Sequence, residues 1–402
     1  MKALSHPTNR AMFFGGFSCF ALLYCVQPLM PLLSHEFALT PAQSSLSLSI
    51  STAAMALTLL ASSAVSDRIG RKPLMVAALA IAALMTLLCA MASSYGQLLA
   101  ARTLLGVALG GMPAVAMAYL GEEIEPEQLG LSMGLYISGS AFGGMMGRMA
   151  VSVLSDFYSW RVALVGMGVA GVLAALEFWR SLPGSRRFRP SAAGWRAMPN
   201  GMRRHFADDG LPWLFALAFL LMGCMVSAYN YIGYRLLAAP FELRQSVVGG
   251  ISLLYLLGIF SSVWAGKLAD RYGRKGVLYL VLGLMLAGIL LTISASLPLV
   301  VAGMALFTFA FFAAHSMTSS WVGRRARSSG AQALASALYL FFYYLGSSVI
   351  GVAAGVLWAR AGWGGVVALL GSCLLAAVAI ALHLRRLTPI EAMLSQIKAG
   401  AG

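Results

Sequence analysis

Charge is what this chain of 402 residues has least of: 10% of it is Asp, Glu, Lys or Arg, and 60% is hydrophobic. Soluble proteins carry about a quarter of their residues as charges, so a soluble domain is excluded and an integral membrane protein is indicated. Acids are the scarcer sign, 13 against 28 basic residues, and none falls in the middle of an apolar run. The five cysteines, Cys19, Cys25, Cys89, Cys224 and Cys373, all lie in apolar runs without Cys-x-x-Cys spacing or a His/Cys cluster. They imply packing, with neither a disulfide nor a metal site. The chain also lacks a phosphate-cradling Gly-x-x-x-x-Gly-Lys-Ser/Thr loop, since Gly266-Lys267 is followed by leucine; ATP drive is therefore disfavoured. No nucleophile, carboxylate or metal constellation gathers at one depth, which argues against a membrane-embedded enzyme and for the absence of a cofactor. The net charge of +15 would suit nucleic acid, but the basic residues sit in short loops rather than on one soluble face, so nucleic acid is not an expected partner.

What the chain does have is length of apolar sequence. Crossing the hydrocarbon takes about 20 apolar residues per helix, and twelve stretches qualify: 11–33, 43–65, 73–93, 97–120, 130–153, 161–181, 212–238, 246–265, 277–296, 298–321, 330–358 and 364–384. The first follows Lys2 and Arg10 but is too long and too interrupted for a secretory signal. An even count with the N-terminus inside puts nearly all basic residues in the cytoplasm. Only Arg102, Arg148, Arg161, Arg235, Arg244 and Arg360 are left in helices or outer loops. One long polar segment, 183–211, separates six helices (1–182) from six more (212–386), with a cytoplasmic tail at 387–402. Since the segment starts and ends inside, the halves are expected to be parallel repeats about an axis along the membrane normal.

The repeat is visible in residues. Gly266-Lys267-Leu268-Ala269-Asp270-Arg271-Tyr272-Gly273-Arg274-Lys275 has an imperfect copy 203 positions earlier, Ser63-Ala64-Val65-Ser66-Asp67-Arg68-Ile69-Gly70-Arg71-Lys72. Each follows the second apolar run of its half. A glycine lets the chain turn sharply, the carboxylate can cap N–H groups or pair with a cation, and the basic residues favour the inner face. This pattern resembles the loop after the second and eighth helices of major facilitator superfamily transporters, with Ser63 in place of the first glycine. In the fourth helix, Arg102-x-x-x-Gly106-x-x-x-Gly110 puts an arginine within a span beside a small face that admits a neighbouring helix. It is similar to the superfamily's fourth-helix motif, which implies proton coupling for Arg102. The fifth helix carries Gly139-Ser140-Ala141-Phe142-Gly143-Gly144, which resembles the antiporter signature with serine for proline. It is expected to slide against a helix of the other half.

Runs such as Ala21-Leu-Leu-Tyr-Cys-Val-Gln-Pro, Asn230-Tyr-Ile-Gly-Tyr-Arg and Phe312-Ala-Ala-His-Ser narrow the resemblance to the acriflavine-sensitivity (YnfM-type) inner-membrane permeases. That implies the twelve-helix, all-α fold of two six-helix bundles. It also implies a secondary transporter that exports a small drug-like, sugar-like or organic-anion solute against protons by alternating access. An importer or uniporter of the same fold is the alternative. The absence of the helix-one or helix-four carboxylate of many multidrug exporters disfavours a dedicated organic-cation pump. A monomer in the inner membrane is expected, with solute, protons and lipid as its partners.

Candidate contacts follow from helical periodicity. In helix seven, Ser227, Asn230, Tyr231 and Tyr234 share a stripe about 100° wide, and 203 residues earlier Phe20, Tyr24, Gln27 and Pro31 do the same. Helices one and seven line the cavity in the superfamily, so Gln27 and Asn230 are expected to face each other. Ser336, Tyr339, Tyr343 and Gly346 form a third stripe. His315, the one mid-span group titrating near neutrality, is expected to carry the proton or to touch solute. Arg148 is expected near the outer surface, pairing with Asp156 or meeting an anionic group of the solute. Glu122-Glu123 and Arg324-Arg325 occupy corresponding sites after helices four and ten. With Asp67 and Asp270 nearby, they are expected to form inner-face ion pairs between the halves.

Overall fold

The computed structural model describes residues 6–185, 188, 194–326 and 332–386, and among them no strand occurs. We number the spanning helices α1 to α12. They are α1 (Pro7–Glu36, with a 3-10 turn at Gln27–Leu29), α2 (Pro41–Ile69), α3 (Arg71–Ala90), α4 (Tyr95–Leu109, then Pro113–Glu123), α5 (Pro126–Phe157) and α6 (Trp160–Ser181). The second half comprises α7 (Leu211–Leu237), α8 (Gln245–Gly249, a 3-10 stretch Gly250–Leu256, then Leu257–Tyr272), α9 (Arg274–Leu291), α10 (Leu297–Arg325), and α11 and α12 within Gln332–Arg386. Ala361 and Gly362 divide the last pair, Gly362 at a φ of +56°. By length and composition, nine stretches among the described residues can cross a membrane. Splitting the last of these, and adding α5 and α9, makes twelve.

Local chemistry explains where the helices begin. Thr40 and Gln43 form a reciprocal capping box at α2, and the Ser94 and Ser159 hydroxyls accept backbone N–H bonds at the starts of α4 and α6. Each satisfies donors that a helix leaves orphaned. The two copies of the loop motif share a backbone: Gly70 (φ +96°) and Gly273 (φ +83°) turn the chain between α2 and α3 and between α8 and α9. A side chain would be strained there. The polar segment is not featureless, because Gly194–Phe206 forms a helix along one end of the molecule, which we call the linker face.

Glycines bring α1 and α5 together. A Cβ on Gly139, Gly143 or Gly147 would come within 2.2, 2.1 and 2.8 Å of Phe13, Phe17 and Ala21 backbone atoms of α1. The repeat is preserved in packing: Gly346 of α11, 203 residues after Gly143, would bring a Cβ within 2.0 Å of Phe219 of α7. The expected sliding of the α5 glycines against the other half is corrected here, because that face is spent on α1 of the same half. Gly106 and Gly110 seat α4 on Ser51 and Thr58 of α2 in the same way. Gly266, by contrast, has open space around it among the described residues.

Contacts between the halves gather away from the linker face. There Gly355 of α11 abuts Ala42 of α2, Gly249 of α8 abuts Ser152 of α5, and the Ser246 hydroxyl donates to Asp156 at 2.5 Å. At the linker-face ends of α4, α5 and α8, Gly121, Gly130, Gly134 and Gly266 have open space around them among the described residues. The bundles are zipped at one face and splayed at the other.

Gly143→Ala should lower thermal stability in detergent by about 1–3 kcal/mol, the usual cost of overpacking a tight contact. Gly134→Ala, whose new methyl meets open space, should be neutral or stabilising by up to about 1 kcal/mol through helix propensity. Equal melting temperatures for the two variants would contradict this packing.

Candidate functional site

The site starts at a bend. Pro28 has no N–H for the carbonyl one turn back, so α1 leaves α-helical geometry after Tyr24 and continues as the 3-10 turn Gln27–Leu29. Arg102, 2% exposed, holds the bend: its Nη1 and Nη2 donate to the Leu22 and Leu23 carbonyls at 3.1 and 2.6 Å, and its Nε to Ser47 of α2 at 2.8 Å. The Ser51 hydroxyl returns a bond to the Arg102 carbonyl at 2.8 Å. Among the described residues, its partners all belong to the first bundle. A guanidinium fork serves this arrangement because it can reach several carbonyls at once.

The bend aims Gln27 across the interface. Its Nε2 donates to Asn230 Oδ1 of α7 at 2.6 Å and to the Val226 carbonyl at 3.2 Å, while its Oε1 accepts from Arg148 Nε. Gln27 and Asn230 are 2% and 1% exposed, so this relay from Arg148 through Gln27 to Asn230 runs through the interior. The donor and acceptor sequence fixes which way each amide points. The expectation that Gln27 and Asn230 face each other is therefore met in geometry.

Arg148 does not sit at the outer surface. It is 3% exposed, its Nη1 donates to the Gly144 carbonyl at 2.6 Å, and its guanidinium lies 4.3 Å from the ring centre of Tyr24 and 4.7 Å from that of Tyr255. One ring comes from α1 and the other from the 3-10 stretch of α8, so each bundle covers one side of the cation. Asp156, the expected partner, instead holds Arg244 at 3.3 Å and Ser246. It lies two turns farther along α5, beyond the reach of the arginine. Among the described residues no carboxylate pairs with Arg148. Close to it, the Tyr24 hydroxyl and Asn230 Nδ2 are buried without a partner among the described residues, as is the Ser227 hydroxyl one turn before Asn230 on α7. A cleft lined by Gln27, Arg148, Tyr229, Asn230 and Ser252 opens beside them.

From Tyr255 a run of rings extends into the second bundle. Tyr255 meets Phe312 at 5.5 Å, Phe312 meets Phe311 at 5.2 Å, and Phe311 stacks on His315 at 5.9 Å. His315 Nδ1 lies 2.9 Å from the Tyr339 hydroxyl, and its ring 4.8 Å from that of Tyr343. Tyr339 and Tyr343 thus gather at the histidine, whereas Gly346 of the same expected stripe turns toward α7. Two members of the helix-seven stripe also depart from expectation. The Tyr231 hydroxyl donates to the Gly351 carbonyl at 2.7 Å, and Tyr234 bonds Ser34 of α1 at 2.7 Å. Both stand in the closed seam, because a 100° stripe spans enough arc for its edges to meet different neighbours. Sequence periodicity missed Tyr229, which bonds Thr308 at 2.8 Å, and Tyr255. The latter lies in the 3-10 stretch, where a count based on 3.6 residues per turn puts it on the wrong face.

At the linker face, the ion pairs seen among the described residues lie within each half. Arg71 bonds Asp67 and Glu122, both at 2.7 Å, and Lys72 donates to the Leu182 carbonyl. Arg325 binds Asp208 at 2.5 Å, so the expected Glu123–Arg325 pair across the halves is corrected: the bundles are apart at this face. Burial alone would raise the Asp208 carboxyl, but Arg325 and the N–H groups of Gly210 and Leu211 hold it below its usual range. Arg68 and Arg271 are exposed, and Arg324 is half-buried. The side chains of Asp270, Arg274 and Lys275 lie outside the described residues.

Comparison with known proteins agrees with this architecture. The profile of the Major Facilitator Superfamily matches residues 12–349. Over 376 residues the chain is 50% identical to the inner membrane transport protein YnfM of Escherichia coli, covering 94% of this chain and 90% of that protein. It is 44% identical to the uncharacterised MFS-type transporter YybF of Bacillus subtilis, covering 94% and 93%. The structure of the nucleoside transporter NupG matches with a TM-score of 0.79 at 16% identity over 94% of this chain and 99% of that one, a likeness of fold.

Arg102→Ala leaves three buried carbonyls without their donor and should destabilise the protein by about 3 kcal/mol or more. Arg102→Lys, which cannot span all three, should recover part of that in a thermal melt. A melting temperature unchanged by the alanine would remove Arg102 from this role. Since Asp208 has a lowered folded pKa, its contribution is present above its unfolded value of about 3.9 and is lost as pH falls through the folded one. Asp208→Asn should therefore flatten the acid limb of the stability profile, and an unaltered limb would contradict the pairing.

Proposed function

We propose that this chain, which belongs to the Major Facilitator Superfamily, exports a small solute in exchange for protons and grips it between the bundles at Gln27, Asn230 and Arg148. Membership makes it a secondary transporter that works by alternating access, and not an enzyme. One observation carries the site. The 2.6 Å bond between Gln27 and Asn230 joins the bundles at the level where a buried cation and rings from both halves converge. When the bundles rock, that bond must break, and both amides then need new partners in a site shielded from water. A solute with a donor and an acceptor supplies them at the step where they are lost, which couples binding to the change of access.

We assign the coupling proton to His315, whose imidazole titrates near neutrality in water and whose Nδ1 shares a hydrogen bond with Tyr339. Arg102 supports the site from outside by holding the α1 bend. In this reading the linker face is cytoplasmic, as the crowding of basic residues there favours, and both termini are inside a multi-pass inner-membrane protein. The working units are the bundles 1–182 and 212–386. Both walls of the site come from one chain, so a monomer suffices. The pairs of Arg71 with Asp67 and Glu122, and of Arg325 with Asp208, brace each bundle where it opens to the cytoplasm.

In proteoliposomes, Gln27→Ala and Asn230→Ala should each reduce counterflow at least tenfold. The double variant should be little worse than either single, since the two act as one pair. Full activity in both single variants would move the site elsewhere. His315→Gln should keep counterflow but lose accumulation driven by a pH gradient, and pH-driven uptake equal to wild type would dismiss the proton role.

A further inference from the structure

We propose that the solute is a small aromatic monoanion, with its carboxylate on Arg148 and its ring along the tyrosine wall, an inference that rests on the transport reading above. The polar groups converging at the site are donors in excess. Arg148 spends one N–H on Gln27 Oε1 and one on the Gly144 carbonyl. Both acceptors are neutral, and no ion pair answers its charge among the described residues. Nη2 is left with no hydrogen bond to a described residue, and a guanidinium that cannot be deprotonated keeps its positive charge in every state of the cycle. The Tyr24 hydroxyl and Asn230 Nδ2, both buried without a partner, add two more donors beside it. Tyr24 lies directly under the guanidinium, and Asn230 is the end of the relay that Arg148 begins. A solute cation would find no carboxylate here and would face a fixed like charge. A neutral sugar would leave that charge uncompensated. A carboxylate supplies the missing countercharge and accepts from all three groups, in the planar geometry that suits an arginine fork.

The ring follows from the walls. Tyr24 and Tyr255 already present their faces to the guanidinium, and Phe312, Phe311 and His315 continue from Tyr255 at centre separations of 5.2 to 5.9 Å. That spacing suits offset or edge contacts between rings, so a planar apolar body extends the existing series. An aliphatic acid of equal charge gains less.

An electrical consequence follows from the fixed charge. Loaded with a monoanion the site is neutral, and empty it carries one positive charge. In a membrane negative on the linker side, return of the empty site toward that side is electrically downhill. The resting potential therefore drives the anion outward without any pH gradient, and protons carried on His315 add to that drive.

The test uses the full chain, purified and reconstituted. Benzoate, benzamide and benzylamine are an anion, a neutral amide and a cation of nearly one shape, and acetate removes the ring. At millimolar concentration benzoate should raise the melting temperature, while benzamide, benzylamine and acetate should not. Arg148→Gln should weaken benzoate binding by about a hundredfold, and Tyr24→Phe, which keeps the ring, by about tenfold. Benzoate efflux should accelerate when valinomycin and potassium set the interior negative at equal pH on both sides. Benzamide binding as tightly as benzoate, absence of benzoate binding to folded wild type, or undiminished benzoate affinity in Arg148→Gln and Tyr24→Phe would overturn the assignment. Counterflow separates this from failure of the transport reading. Benzoate that binds but never crosses would refute transport while sparing the anion site; a neutral or cationic probe that crosses without benzoate binding would do the reverse.

Discussion

A guanidinium enclosed between two bundles, with only neutral acceptors around it among the described residues, is the constraint to which the rest of the site answers. Removing such an ion from water costs several kcal/mol even after relaxation. Arg148 recovers part of that from the Gly144 carbonyl, the Gln27 amide and the faces of two tyrosine rings. Each contact has its own structural requirement. The amide is in reach because α1 bends at Pro28, and the second ring is in reach because α8 passes through a 3-10 stretch at the same depth. Neither bundle alone encloses the cation, so the charge ties the state of the site to the relative position of the halves.

Two kinds of packing make that enclosure rigid on one side and free on the other. Within the bundles, Gly143 and Gly346 bring α5 onto α1 and α11 onto α7 at backbone contact, and Arg102 pins the bend to α2 and α4. Between the bundles, two close glycine contacts, Gly355 on Ala42 and Gly249 on Ser152, are joined by single polar ones: a serine with Asp156, Thr52 with Ser348 at 2.7 Å, and Ser34 with Tyr234. Single hydrogen bonds of this kind contribute about 1 kcal/mol each. A seam made of them can open as a set without disturbing the glycine contacts that keep each bundle whole. Rocking of intact bundles is the motion this distribution permits.

The linker face has the complementary design. Arg71 with Asp67 and Glu122, and Arg325 with Asp208, neutralise charge inside each half, so the splayed ends do not need each other. The expected bridge from Glu123 to Arg325 supposed that corresponding positions of a repeat meet across the axis. In the state seen here, that meeting is lost at the face that is open.

Much of this could be read without coordinates. Apolar runs long enough to span a bilayer, a basic loop repeated after 203 residues and a single polar divider already determine a two-bundle membrane protein, because hydrocarbon leaves the backbone few alternatives to a helix. Gln27 and Asn230 were legible as well: an amide in mid-span has no favourable place in lipid, and the same offset relates the two. What only the tertiary structure decided is which edge of each stripe faces inward, where Arg148 lies in depth, and which helix the α5 glycines meet. Those depend on bends at Pro28 and at Gly250–Leu256 that break the 3.6-residue count. They depend also on which face of the molecule is closed, a property of two bundles together that the periodicity of one helix does not contain.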